Sequence, residues 1–401
     1  MTRHLLKLVW NRKRSNALII LEIFFSFLVV FLVATLGVYF WDNYRRPLGF
    51  SYQNVWKIEV DTKAAEKEPE AVIAGRLKTF ARLLREVEAL EPVEAAAGSM
   101  ISPYDQGGWS SNMEIEGKPV SMDANVASVG FADVLGLELV AGRWFEEADE
   151  ARAWTPTVVD QDFAREVYGD ENPVGRQFGG GGRGAEKPNR IVGVVREFRK
   201  GGEFSAQGNF MFQFLSLEKP SFFQPRTMLV RVRPGTPAAF EENLTRLLQG
   251  VAPEWSFQVQ PLTQARESTF RTFLTPLVAG GIVAFFLLLM VGLGLIGVLW
   301  QNLLQRTREL GLRRAAGASR SAVHRQVIWE QAILTSLGVL LGVVVVVQIP
   351  ILDLIGFIRL EVFASGLVVS MAAIYLLAVL CALYPSAMAS RLQPAEALRY
   401  E

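Results

Sequence analysis

The sequence LVAGGIVAFFLLLMVGLGLIGVLW, residues 277–300, is an apolar stretch without a charged side chain. A helix needs about 20 such residues to cross a hydrocarbon core of about 30 Å. Three further apolar runs of comparable length lie at 17–41, 332–352 and 362–384, and the only acidic side chain in the four is Glu22. The sequence therefore predicts a membrane protein with four α-helical transmembrane spans, the second of which occupies 273–300.

Residues 42–272, between the first and second spans, have the composition of a water-soluble domain. The order strand, helix, strand is predicted twice in this segment, once at each end. The predicted elements are a strand at 55–60, a helix at 71–91 and a strand at 93–98, then a strand at 227–232, a helix at 236–248 and a strand at 255–259. They predict a large extracytoplasmic α+β domain, with a ferredoxin-like lobe at about 42–100 and 215–265 and an inserted β-rich lobe at about 101–214.

Basic residues flank the spans unequally, and this asymmetry predicts the orientation in the membrane. Five of them precede the first span, and several arginines follow the second. The cytoplasmic segments are therefore expected to be an amphipathic helix at 1–16, a linker at 301–331 and a tail at 385–401. Both termini are then cytoplasmic, and the large domain lies on the other side of the membrane.

The chemistry of the chain excludes several classes of function. The net charge of +1 gives no reason to expect a nucleic acid partner, and the single cysteine, Cys381, permits no disulfide within the chain. Both histidines, His4 and His324, fall on the predicted cytoplasmic side, so residues 42–272 lack His and Cys for zinc binding or nucleophilic catalysis. Asp160 and Asp162 are interpreted as solvated turn residues. No catalytic, cofactor-binding or metal site is predicted, and the chain is not expected to be an enzyme.

The strongest local pattern is RTRELGLRRAAGAS at 306–319, between the second and third spans. Gly317 can end one helix and Ser319 can cap the next. A short charged helix in this place can be pushed by a soluble partner and can pass the displacement to two spans. Lipid headgroup binding and the positive-inside rule also explain the arginines. They do not explain the order Glu309-Leu310-Gly311.

This motif closely resembles the linker between the second and third spans in the FtsX-like permease family of ABC systems. The ending LQPAEALRYE at 392–401 is similar to the ending of that family. The segments SVGFADVLGLELVAGRWF at 128–145, NPVG at 172–175 and IVGVV at 191–195 resemble the periplasmic core domain of MacB-like macrolide-exporter permeases. The matching segments occur in the same order and with the same spacing as in the family, and their positions agree with the predicted spans.

The resemblance implies a permease subunit in the bacterial inner membrane with its large domain in the periplasm. Such a subunit pairs with a second copy or a related permease and sits on an ABC ATPase that binds ATP and Mg²⁺. Only sixteen residues precede the first span, so the ATPase is expected to be a separate polypeptide. A periplasmic adaptor and an outer-membrane channel are further expected partners. The resemblance assigns these residues to the ATPase-coupling element: Arg306, Arg308, Glu309, Leu310, Gly311, Arg313, Arg314, Gly317 and Ser319.

Export or envelope mechanotransmission is the preferred function. The alternatives are release of lipoproteins from the membrane, regulation of cell-wall hydrolases without transport and, as a different class, a membrane-bound enzyme. Within the first span, an ionised Glu22 is costly unless it is paired or hydrated. It is expected to pair with a basic residue or another span, or to reach the nearby interface. Small residues of the second span are expected to pack against span one of a second copy, or against spans three and four of the same chain. They are Gly280, Gly281, Gly292, Gly294 and Gly297.

Overall fold

The computed structural model describes residues 13–63, 68–105, 107–179, 187–305, 319–352 and 358–391. These residues form two compact units. The sheet domain is Asn43–Thr272, and the helical unit comprises the described residues of Met1–Asp42 and Phe273–Glu401. Most of the predicted amphipathic helix at 1–16 and the last ten residues of the predicted tail lie outside the described residues.

The secondary structure consists of helices and strands with the following bounds. The helices are α1 (Lys13–Tyr44), α2 (Glu70–Glu88), α3 (Phe131–Leu135), α4 (Gln161–Tyr168), α5 (Phe240–Val251), α6 (Leu262–Gln305), α7 (Arg320–Val346), α8 (Gln348–Ile351) and α9 (Leu360–Arg391). The strands are β1 (Val55–Asp61), β2 (Val93–Ser99), β3 (Trp109–Ile115), β4 (Lys118–Ala127), β5 (Leu139–Gly142), β6 (Thr155–Asp160), β7 (Gln177–Phe178), β8 (Asn189–Val195), β9 (Phe210–Phe214), β10 (Thr227–Val232) and β11 (Ser256–Pro261). A short 3₁₀ helix covers Glu147–Ala151.

In the described part of the chain, the four helices α1, α6, α7 and α9 contain segments long and apolar enough to cross a membrane, as predicted. The helix of the second span is longer than expected. The prediction placed its start at residue 273, whereas α6 begins at Leu262. An apolar run identifies only the part of a helix that suits lipid. The preceding turns are polar on one side, and they remain helical with Leu262 and Ala265 buried.

The first and last parts of the sheet domain form the predicted ferredoxin-like lobe. Its strands lie in the order β11-β1-β10-β2, and every neighbouring pair is antiparallel. The hydrophobic core of this lobe includes fully buried side chains from β1, β10, α2 and α5: Ile58, Met228, Leu83 and Leu244. Each such side chain contributes about 1.5–3 kcal/mol relative to exposure to water. These long-range contacts therefore hold together two segments that are far apart in sequence.

The β-rich lobe continues the same sheet in the order β4-β9-β6-β8-β5. The two lobes share one sheet through the pairing of Ser99 with Ala127. Successive residues on β6 and β9 enter cores on opposite faces, because side chains alternate along a strand. Val158 and Phe212 lie in one core, and Val159 and Met211 lie in the other. A sheet buried on both faces gives a firm support for the loops at its edges.

One predicted helix boundary is wrong for a local reason. The sequence Thr236-Pro237 suggested a cap followed by the first helical residue, but α5 begins at Phe240. The Thr236 hydroxyl instead donates to the carbonyl of Arg233 at 2.7 Å, and the amide of Phe240 donates to the carbonyl of Pro237. A turn therefore takes the place of the predicted first turn of the helix.

Candidate functional site

The predicted ATPase-coupling element lies almost entirely outside the described residues. This holds for Arg306, Arg308, Glu309, Leu310, Gly311, Arg313, Arg314 and Gly317. Ser319 is described, and it directly precedes α7. Its exposed hydroxyl lies 3.0 Å from the hydroxyl of Ser321.

The helix after the coupling element is continuous with the third span. The sequence suggested a separate amphipathic helix followed by the span, whereas α7 runs from Arg320 to Val346. Near its beginning, Val327 is buried in a small cluster with Leu299 of α6 and Ala382 of α9. A displacement at the start of α7 would therefore reach three spanning helices directly.

Glu22 lies on α1 and is half-buried. Its carboxylate packs against α6 at Gly294, where a Cβ added to the glycine would lie 2.8 Å from Oε2. Gly280 of α6 likewise approaches Val33 of α1, while Gly292 approaches Cys381 of α9. These three glycines of the second span therefore pack against the first and fourth spans of the same chain, whereas an added Cβ at Gly281 or Gly297 would have no described atom within 4 Å. The first span of the same chain was not among the expected partners.

The other two spanning helices also approach α1 through glycines. A Cβ on Gly338 of α7 would lie 2.7 Å from Ile23, and one on Gly342 would lie 2.2 Å from Phe27. On α9, a Cβ added to Gly366 would lie 2.2 Å from the hydroxyl oxygen of Thr35. Real Cβ atoms do not approach this closely, so these three positions require glycine for the observed packing. Helix α1 is consequently the helix that the other three contact.

Inside the sheet domain, the last residues of α1 are held by a buried arginine. Arg199, in the loop after β8, is only 3% exposed. Its Nη1 donates to the carbonyls of Asn43 and Arg46 at 2.7 and 3.3 Å, and its Nη2 donates to those of Glu203 and Ser205 at 2.8 and 2.6 Å. The carbonyls at a helix C-terminus lack partners within the helix and carry partial negative charge. Arg199 supplies both the donors and the positive charge that this end of α1 needs.

The first turns of α6 are held by the same loop. Arg266 donates from Nε to Oε1 of Glu203 at 2.5 Å, and the Glu203 side chain is 6% exposed. The Arg266 guanidinium also lies over the rings of Phe270 and Tyr52, 4.3 and 4.8 Å from their centroids. Cation–π contacts of this kind add to the ion pair and fix the orientation of the guanidinium.

Aromatic packing completes this arrangement. Phe204 lies between Tyr44 at the end of α1 and Phe270 on α6, with ring centroids 6.2 and 4.6 Å away. Residues 199–205, which we call the junction loop, thus contact the last residues of α1 and the first turns of α6. Within the sheet domain, these three segments form one packed assembly, which we call the junction.

Tyr104 lies beneath the junction loop in a strained backbone conformation. Its φ is 69°, and its amide donates to the carbonyl of Lys200 at 2.8 Å. The ring rests on Gly202, itself at φ +82°, where a Cβ would be 2.4 Å from Cε1 of Tyr104. Burial raises the pKa of Tyr104, and the nearby Glu203 carboxylate raises it further. Strained residues of this kind persist only where the surroundings fix them.

Sequence reasoning did not find the junction. The segment FRKGGEF at 198–204 reads as an ordinary basic loop after the strand at 191–195. One available signal was the Gly-Gly pair between Lys200 and Glu203, because adjacent glycines often mark close approach of the backbone to other groups. The contacts themselves are not local, since Arg199 and Asn43 are 156 residues apart.

Among the described residues, no three His, Cys, Asp or Glu side chains are arranged to hold a metal ion. Asp160, interpreted from sequence as solvated, is instead buried, and its side chain accepts from the amide of Phe163 at 2.9 Å as the N-cap of α4. Its burial raises its pKa to about 8. Asp160 therefore has a structural role as the N-cap of α4.

Two family descriptions match the chain over most of its length. Residues 17–247 match the MacB-like periplasmic core domain, and residues 281–394 match the FtsX-like permease C-terminal domain. The chain belongs to this permease family. The predicted resemblance and the predicted class of fold are thereby confirmed.

Curated relatives of the permease share about a quarter of its residues. The macrolide export ATP-binding/permease protein MacB 2 of Aeromonas hydrophila is 29% identical over 69% of this chain and 43% of that protein. The MacB protein of Agrobacterium fabrum is 24% identical over 97% of this chain and 59% of that protein. The permease thus spans about half the length of these two relatives. The ABC transporter permease YknZ of Bacillus subtilis is 25% identical over 73% of this chain and 74% of its own length.

Among solved structures, the permease is similar to the periplasmic region of MacB from Actinobacillus actinomycetemcomitans. The TM-score is 0.37 and the sequence identity 15%, over 54% of this chain and 92% of that chain.

Proposed function

We propose that the permease is the membrane subunit of an ABC transporter, driven by a separate ATPase subunit that binds ATP and Mg²⁺. In this proposal ATP hydrolysis moves the spanning helices, and the sheet domain converts their motion into work on cargo in the periplasm. The observation that carries the proposal is the junction. Its loop makes buried polar and aromatic contacts with the last residues of α1 and the first turns of α6. Such contacts suit transmission of small displacements, because a packed interior responds as a solid.

The proposed orientation follows from the distribution of positive charge. Residues 1–16, the linker 301–331 and the tail 385–401 lie in the cytoplasm, and residues 42–272 lie in the periplasm. The protein is then a multi-pass protein of the bacterial inner membrane with both termini inside. The match of residues 17–247 to the MacB-like periplasmic core domain supports the periplasmic side for the sheet domain.

The cytoplasmic contact is assigned to the segment 306–319. Its arginines and Glu309 form the surface on which the ATPase sits, and α7 carries the displacement into the membrane. Val327 supports this role, because it packs with α6 and α9 close to the start of α7. A second permease subunit, a periplasmic adaptor and an outer-membrane channel are proposed as further partners for export.

Paired substitutions in the coupling segment test this function. The permease is purified together with its ATPase and reconstituted in lipid nanodiscs, with Glu309→Ala and Arg313→Ala combined in one variant. We expect insertion to be unchanged, while the co-purified ATPase is lost or its turnover falls to that of the free ATPase. The matched control combines Glu242→Ala and Arg246→Ala, which remove an exposed ion pair on α5. Wild-type turnover and wild-type ATPase binding in the coupling variant would contradict the proposal.

A further inference from the structure

Gln207 connects the segment after α1 to helix α4 within the sheet domain. Its Oε1 accepts from Nη1 of Arg46, and its Nε2 donates to Oδ2 of Asp162, both at 2.6 Å. Arg46 follows the last residue of α1 by two positions, and Asp162 lies in the first turn of α4. All three side chains are half-buried, so water and salt screen these contacts less than they would at an exposed site.

The amide of Gln207 has the two kinds of group that this bridge needs. A guanidinium has donors and no acceptor, whereas an ionised carboxylate has acceptors and no donor. The group between them must therefore present an oxygen to Arg46 and an N–H to Asp162, and one orientation of the amide does both. A carboxylate at this position would repel Asp162, and an apolar side chain would bind neither charge.

The opposite end of α4 is tied to the β3–β4 hairpin. Nζ of Lys118 donates to the carbonyls of Glu166 and Val167, at 3.3 Å each. The last carbonyls of a helix lack partners within the helix and favour a cation. Lys118 directly follows the two-residue turn Glu116-Gly117, both residues of which have positive φ, as in the tight turns that suit hairpins. A tight turn therefore fixes the position of the backbone from which Lys118 reaches α4.

Asn209 gives α4 a second contact with the same hairpin. Its Nδ2 donates to Oε2 of Glu166 at 2.8 Å and to the carbonyl of Ser121 in β4 at 3.0 Å. Phe163 of α4 and Ile115 of β3 also lie in one hydrophobic core. The eight residues of α4 span about 12 Å. Within this short length, α4 is held through Gln207 at its first turn and by the hairpin at its last turn.

We propose that Gln207 is a positioning residue that makes α4 follow the end of α1, and that α4 passes the displacement to the β3–β4 hairpin. This inference rests on the proposed function for the force that moves α1, and it names the route by which the movement enters the β-rich lobe. A short helix that is fixed at both ends moves as one body, because a packed interior transmits strain.

Unfolding of the full chain in detergent, followed by tryptophan fluorescence, tests the bridge without any ATPase. Arg46→Met and Asp162→Ala are measured singly and together. We expect their effects to be non-additive by about twofold or more in the unfolding equilibrium constant, as for residues in one hydrogen-bond network. The coupling should vanish in the Gln207→Met background and persist with Gln249→Met, the control at an exposed glutamine of α5. Additive effects in the wild type, or coupling that survives Gln207→Met, would overturn the bridge.

An exchange of donor and acceptor separates this bridge from simple packing. Gln207→Glu keeps the acceptor for Arg46 but sets two carboxylates against each other. Adding Asp162→Asn supplies an amide that donates to the new carboxylate, so both contacts return and the total charge equals that of the wild type. We expect this double variant to recover most of the stability that Gln207→Glu loses. Gln207→Glu with Asp162→Ala relieves the repulsion but offers no donor, so it should recover less. Equal recovery by the two double variants would overturn the bridge.

Hydrogen–deuterium exchange on the permease–ATPase complex tests the route. The ADP-bound state is compared with a vanadate-trapped Mg-ATP state. We expect protection to change in α4 and in the hairpin, residues 109–127, in the wild type and in the Gln249→Met control. In Gln207→Met these changes should be lost, while the junction loop still responds.

The outcomes distinguish a failure of the route from a failure of the proposed function. A response of the junction loop without one in α4 and the hairpin would overturn the route alone, as would a hairpin response that survives Gln207→Met. No response in either the junction loop or α4 of the wild type would overturn the proposed function, and with it the movement that α4 is proposed to carry.

Discussion

At the residue scale, the buried guanidinium of Arg199 donates four hydrogen bonds to backbone carbonyls in the junction. Substitution with Met keeps much of the side-chain volume but leaves the carbonyls of Asn43, Glu203 and Ser205 without this donor. We expect Arg199→Met to destabilise the sheet domain by about 3–5 kcal/mol, the usual cost of breaking a buried charged network. Denaturant unfolding followed by tryptophan fluorescence measures this loss. Arg246→Met, at an exposed ion pair, should cost less than about 1 kcal/mol, and equal effects would contradict this role of Arg199.

Asp160 predicts a pH dependence whose direction follows from its raised pKa. Its folded-state pKa of about 8 lies above the unfolded value of about 3.9. Its contribution to stability is therefore complete below pH about 4 and is lost as the pH rises through about 8. Asp160→Asn keeps the helix cap, because Asn is also a good N-cap residue. The variant should show a flatter stability profile between pH 5 and 9 than the wild type. An equally steep profile in Asp160→Asn would contradict the assignment.

The sequence could predict some single residues and not others. Glu22 stands out because a carboxylate in an apolar run is rare, and its partner Gly294 lies in a glycine pattern that also indicated close packing. Arg199 and Glu203 have no such local mark, because charged residues in loops are common. Their burial depends on contacts with the ends of α1 and α6, which the sequence does not place near the loop.

At the scale of elements, glycines determine how α1 packs in the helical unit. A methyl group at Gly342 would meet the ring of Phe27 at 2.2 Å. We expect Gly342→Ala to destabilise the unit by about 1–3 kcal/mol, as overpacking usually does. Thermal unfolding in detergent measures the effect, and Phe27→Leu in the same chain should restore part of the loss. Gly297→Ala is the matched control, since no described atom lies within 4 Å of its added methyl group. Equal melting temperatures for the two glycine variants would contradict the packing.

Helix α7 is the element that links the coupling segment to the membrane. Proline at Val327 removes a helical hydrogen bond and costs about 3 kcal/mol locally. We expect Val327→Pro to keep the ATPase bound but to abolish stimulation of ATP turnover by the permease. Val327→Ala, which loses side-chain packing but keeps the helix, should retain most of the stimulation. Full stimulation in the proline variant, measured in nanodiscs, would show that the continuity of α7 is not needed.

Most elements could be predicted because each leaves a periodic or apolar pattern. The four spans and the order of the ferredoxin-like strands follow from such patterns. The start of α6 could not be predicted from an apolar pattern. Its first turns contain polar residues, and their composition resembles that of the preceding water-soluble segment. The observed start of α5 also differs from the predicted start, because Thr236 and Pro237 form a turn that has the same residue types as a helix start.

At the scale of the whole molecule, we propose that different parts of the chain have different tasks. In this proposal the segment 306–319 receives force from the ATPase, the spanning helices carry it, and the junction delivers it to the sheet domain. The first of these tasks was predicted from the sequence motif. The proposal of the last task rests on the contacts of Arg199 and Arg266 with Glu203, which the sequence alone does not place together.

Hydrogen–deuterium exchange on the assembled permease–ATPase complex tests this central claim most directly. The complex in nanodiscs is compared in its ADP-bound state and in a vanadate-trapped Mg-ATP state. We expect changed protection in the junction loop, residues 199–205, and in the first turns of α6, with no such change in the Val327→Pro variant. Identical exchange of these segments in both states, while the ATPase turns over at its full rate, would contradict it.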